Sequence, residues 1–145
     1  MKYRVACAIM AVVALTSPFL GCTSTGGPVE LAPILPGNDP VVVNAERAAN
    51  AALASFESVT RFDHNNLAFM KETLPKVHSE VQDLRRTFPE KYRAVREATK
   101  TYKASKTAQD AQLVTDSLAQ LRELQLIADR TLADSVSAVR AARPQ

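Results

Sequence analysis

Residues 39–72 read DPVVVNAERAANAALASFESVTRFDHNNLAFMKE, and the spacing of their apolar positions decides the fold. Val41, Ala45, Ala48, Ala52, Phe56, Val59, Phe62 and Met70 recur mostly three or four apart, the period that lays one apolar stripe along an α-helix. Asp39 precedes Pro40 as an N-cap precedes a proline at the first helical position, where the missing N–H leaves no bond unmade. Leu74-Pro75 closes the segment, because the residue before a proline is pushed out of helical geometry.

Two further arms continue the pattern. Val77, Val81 and Leu84 carry a stripe up to Thr87-Phe88-Pro89-Glu90. Thr87 with Glu90 fits a capping box, which predicts a new helix there with Tyr92, Val95, Thr99 and Tyr102 inward. A single helix kinked at Pro89 is the alternative. Ser105-Lys106 marks the next turn, and Thr107 with Asp110 fits another cap. The last helix then runs to about Ala141, with Val114, Leu118, Leu121, Ala128, Leu132, Val136 and Val139 inward.

The arms 40–72, 75–104 and 108–141 hold 33, 30 and 34 residues, roughly 45–50 Å each at helical rise. Equal arms with short connections predict an all-α fold, an elongated up-down-up three-helix bundle whose middle arm is broken or kinked near Pro89. Ala45, Ala48, Ala49 and Ala52 come level with Val95 and Tyr102 across the first turn, small opposite large. A body of about a hundred residues can bury one core without a metal or cofactor.

Working outward, all four glycines fall at Gly21, Gly26, Gly27 and Gly37. The body therefore has no glycine for a phosphate-cradling loop, a dinucleotide fingerprint or a nucleophile elbow. Cys7 and Cys22 cannot build a disulfide framework or a four-ligand zinc site. His64 and His78 lack the spacing of a two-histidine metal motif. Neither a catalytic constellation nor a metal site is expected. Glu57-Ser58 resembles the Glu-Ser pair of some lytic transglycosylases, but that family's surrounding motifs are missing, and Glu57 reads as a solvated helix position.

The N-terminal stretch reads as an address. Lys2 and Arg4 precede an uninterrupted apolar run of eleven residues, Val5 to Leu15, the length of a signal h-region and too short to span a bilayer core. Phe19-Leu20-Gly21-Cys22 follows after Thr16-Ser17-Pro18. The segment resembles the lipobox signal peptide of bacterial lipoproteins. That resemblance implies cleavage before Cys22, acylation of its thiol, and a lipid partner for the anchored chain. An ordinary secretory signal, or one uncleaved anchor over Val5–Leu20, is the other reading. Thr23, where inner-membrane retention favours aspartate, implies the outer membrane facing the periplasm in a Gram-negative host. The implied organisation is a signal peptide at 1–21, a lipidated cysteine and Pro/Gly linker at 22–38, and a helical domain at 39–145. Residues 23–38 hold three prolines and three glycines and reach at most about 55 Å. Leu31, Ile34 and Leu35 are apolar for a linker and are expected to fold back onto the body.

Two polar features remain. Between Arg85 and Lys106 lie eight basic residues against Glu90 and Glu97. Arg93, Arg96, Lys100 and Lys103 fall on one face of one helix. Such a face suits an anionic partner: headgroups, cell wall or an envelope protein. The alternative is a solvated face paired with the bundle's own acids. Nucleic acid is not expected, since export removes it, and losing Lys2 and Arg4 lowers the net charge from +3 to +1. The second feature is Asp63-His64-Asn65-Asn66. Reflection through the turn near Leu74 brings Asp63 level with Arg85, and a second reflection near Lys106 brings Asp129 close. Asp63, His64, Arg85 and Asp129 form either a buried polar layer that fixes register or an exposed charged patch.

These features lead to the expectation of a lipid-anchored envelope protein with a non-catalytic helical bundle acting as a binding, adaptor or structural element. The alternative is a phage- or mobile-element-derived lipoprotein acting in lysis, similar to outer-membrane spanin subunits, or in exclusion.

Overall fold

The structure, a computed structural model, describes residues 33–142. The expected signal peptide, Cys22 and the linker up to Ala32 lie outside the described residues, as do 143–145. The described chain is all-helical, with α1 at Pro40–Asn65, α2 at Leu67–Thr73, α3 at Pro75–Ser105 and α4 at Ala108–Ala142.

Asp39 caps α1 as its position demands, its Oδ1 accepting the N–H groups of Val41 at 2.9 Å and Val42 at 3.4 Å. The first arm is not continuous to residue 72. It breaks at Asn66, whose side-chain amide donates to the Phe62 carbonyl at 2.9 Å beside its own backbone N–H at 3.1 Å. Asparagine competes in this way for helical acceptors. Asn66 thus ends α1 and starts α2. Leu74, with φ −127° and ψ 53°, ends α2 and hands over to Pro75 at the first position of α3.

The second arm differs in the opposite sense. No new helix starts at Thr87: α3 runs unbroken through Pro89. The Thr87 hydroxyl donates to the Asp83 carbonyl at 2.9 Å instead of capping. Lys106 closes α3 in the left-handed region at φ 55°. The Thr107–Asp110 cap opens α4, the Asp110 N–H donating to the Thr107 hydroxyl at 3.1 Å.

The three long helices each pack against the other two. One core cluster joins Ala49 and Ala52 of α1 to Phe88 and Val95 of α3 and Leu121 of α4. A second joins Val59, Val81, Leu84 and Ala128. The two clusters meet at the partly buried Phe56 and Leu124, which pack against both. Phe88, next to the proline and absent from the expected stripe, is 2 % exposed at the centre of that core. Its ring stacks on Phe56 with centroids 4.3 Å apart and on Tyr92 at 5.9 Å. Of the expected alanine layer, Ala45, Ala49 and Ala52 are buried and Ala48 is exposed. Ile34 is half-buried, but Leu35 stands 68 % exposed instead of folding onto the body.

Candidate functional site

Two polar assemblies stand at opposite ends of the α1–α3 pair. At the α2 end, Asp63 is fully buried. Its Oδ1 accepts from His78 Nδ1 at 2.6 Å, and Arg85 Nη2 lies 3.2 Å from its Oδ2. That Nη2 also donates to the Thr60 carbonyl at 3.1 Å. Shared in this way, it meets Asp63 Oδ2 at ion-pair distance without forming a hydrogen bond. A buried carboxylate needs this kind of compensation, because desolvating an unpaired charge is far costlier than the pair returns.

The sequence brings Asp63 and Arg85 to one level, and the structure places them in contact. His64 and Asp129 do not join them. Each follows an inward residue, Asp63 or Ala128, and the helical turn of about 100° per residue carries it outward. Both are exposed. His64 instead edges a shallow groove with Phe56, Thr60, Arg61 and Arg85. The histidine of the cluster is His78, in the first turn of α3, and its place three residues after Pro75 was the available signal. Nearby, Thr131 donates to Glu80 Oε2 at 3.3 Å and Ser135 donates to the Thr131 carbonyl at 2.6 Å. The buried Thr131 and Ser135 of α4 and the exposed Glu80 of α3 thus form a second polar cluster. Asp63 and His78 form a base-and-orienter pair, but neither hydroxyl of Thr131 or Ser135 bonds to His78, so the nucleophile contact of a triad is absent among the described residues.

At the other end, Arg93, Arg96, Lys100 and Lys103 are all exposed on α3. Arg93 Nε donates to the Pro89 carbonyl of its own helix at 3.2 Å. The other three wall a groove of about 250 Å³ between α1 and α3, floored by Ala45, Ala49, Val95 and Thr99. Lys103 Nζ donates to Glu46 Oε1 on α1 at 2.7 Å. That bond holds the Glu46 carboxyl below its ordinary range, with the charges of Lys103 and Arg96 acting the same way.

Beyond this groove, at the end of α3, Lys106 Nζ donates to Asp39 Oδ2 at 2.6 Å and lies 4.9 Å from the centre of the Tyr102 ring. Lys106, then the Val42 and Val41 N–H groups, draw Asp39 below its ordinary value. Tyr102 is pushed up by burial and then by the neighbouring Asp39 carboxylate. Asp110 is lowered by the Ser105 and Thr107 hydroxyls.

Among the described residues no group of three or more His, Cys, Asp or Glu side chains could hold a metal ion. No described helix is long and apolar enough to cross a membrane. Compared with protein-family models, curated proteins and solved structures, the chain finds no match.

Proposed function

We propose that the chain is a lipid-anchored protein of the bacterial cell envelope whose helical body works by binding, as an adaptor or structural element, and not by catalysis. The observation that carries this reading is the N-terminal order of Lys2 and Arg4, the apolar run Val5–Leu15 and Leu20-Gly21-Cys22. With two or three acyl chains on one cysteine, anchoring is stable where a single chain is reversible.

The body is an up-down-up three-helix bundle, with α2 folded into its first connection. The rise of residue numbers along α1 and α4 and their fall along α3 support that arrangement. Its buried polar groups have partners that reach solvent: Asp63 pairs with His78 and Arg85, Thr131 with Glu80. What faces outward with a functional direction is the cationic wall of α3. Thr23 after Cys22 favours the outer membrane, with the body in the periplasm.

Metabolic labelling with palmitate tests the anchor. The parent chain should incorporate label and fractionate with membranes, and Cys22→Ala should lose both properties. Undiminished label in the variant would refute the assignment.

A further inference from the structure

The chain enters the body at Asp39, and Asp39 is fastened to the last residue of the α3 cap, Lys106. The start of α1 and the final turns of α3 therefore share one end of the body, the end at which the chain enters α1. The same end carries the groove walled by Arg96, Lys100 and Lys103. Arg96 and Lys100 are exposed and make no ion pair among the described residues. The groove is also lined by two carboxylates, Glu97 and Glu46, the second 2.7 Å from Lys103 Nζ.

We propose that this groove receives the phosphate of an anionic phospholipid headgroup, and that the Glu46 carboxylate is the resident anion which the phosphate displaces. The chemistry is that of a cation cluster meeting a phosphodiester. Lys103 already holds an anionic oxygen in the groove with the charge of Arg96 nearby, and Arg96 and Lys100 are free to hold a second. The alanine floor leaves the space above it clear. The choice of a membrane over a soluble phosphate rests on the lipid-anchor reading. Sixteen residues separate Cys22 from Asp39, so Asp39 stays within about 55 Å of an anchored Cys22. Held that close, the headgroups act at high effective concentration, and a weak site is enough. Each Lys or Arg near an anionic surface is worth about a fivefold gain in affinity, and Glu46 and Glu97 offset two of the three.

The experiment uses the full chain, processed in a bacterium and reconstituted on vesicles of phosphatidylcholine alone or mixed with phosphatidylglycerol. Ala108→Cys, exposed at the start of α4, carries a donor dye, and labelled headgroups carry the acceptor. Energy transfer should be high with phosphatidylglycerol and low without it, and salt should abolish it. Arg96→Gln with Lys100→Gln should lower the docking equilibrium about 25-fold, and Glu46→Gln should raise it about fivefold. A gain is a result that unfolding cannot produce.

Flotation on neutral vesicles reads the anchor separately. A chain that floats on both vesicle types, with transfer indifferent to phosphatidylglycerol or to these variants, overturns the groove. A chain that floats only with phosphatidylglycerol, with transfer following the variants, supports the groove and overturns the anchor. Inorganic phosphate that removes the transfer at constant ionic strength assigns the groove to the free ion and overturns the headgroup as its ligand.

Discussion

Truncating Arg85 to alanine should destabilise the fold by about 3 kcal/mol, in the range for removing one partner of a buried ion pair. The figure follows from what is left behind. Asp63 is 0 % exposed and keeps only His78, at 2.6 Å, while the Thr60 carbonyl loses its donor. Truncating Asp63 should cost less, about 2 kcal/mol, because no charge then remains enclosed. The Arg85 and His78 side chains are 36 % and 18 % exposed and can turn to water. With the carboxylate gone Arg85 still donates to the Thr60 carbonyl, a bond worth about 1 kcal/mol. The double variant should therefore cost about 3 kcal/mol, a coupling of about 2 kcal/mol. Urea unfolding of residues 38–145 followed by far-UV circular dichroism measures all four corners of the cycle. A coupling near zero would leave two independent side chains. Asp63→Ala costing more than Arg85→Ala would refute the argument from the enclosed charge.

The same segment, residues 38–145, should be soluble and strongly helical with one cooperative melt, and Leu121→Ala within it should cost roughly 2–5 kcal/mol. A cost of less than about half a kcal/mol would remove Leu121 from the core. Pro89→Ala restores an N–H inside α3 and should raise stability by up to about 3 kcal/mol; a loss would show that the helix has adapted its course to the ring. Asp39, Glu46 and Asp110 titrate below their ordinary values of 3.8, 4.5 and 3.8. The folded state thus binds their protons less tightly than the unfolded chain. Their contribution is full above about pH 5 and lost as pH falls through the carboxylate range. Acid titration of the thermal midpoint should show that decline, and Asp39→Asn should reduce it.

The helix ends were legible where a residue dictates them. Asp39-Pro40 and Leu74-Pro75 act through fixed dihedrals, and Thr107 with Asp110 acts through a local hydrogen bond. In the middle arm Thr87 and Glu90 match a cap in sequence, but the core holds Phe88 between them and the alternative of a single helix prevails. Tertiary packing overrides a local signal there. Asp63 and Arg85 were found by reflection through the turn near Leu74, and they meet. His78 was missed because that reflection sets Asp63 level with Arg85, seven residues further along α3. The Glu46–Lys103 bond links residues 57 positions apart; no periodicity within one helix encodes it.

Asp39 has a mechanical consequence. Any pull on the chain ahead of α1 arrives at this one residue, whose carboxylate already bridges the first turn of α1 and Lys106 at the end of α3. The load therefore divides at once between two helices that run away from it side by side. Neither the Phe56–Phe88–Tyr92 stack nor Asp63 lies on that path. A tug would unclip Lys106 first, a reversible slip in a single ion pair, before any layer of the interior had to shear.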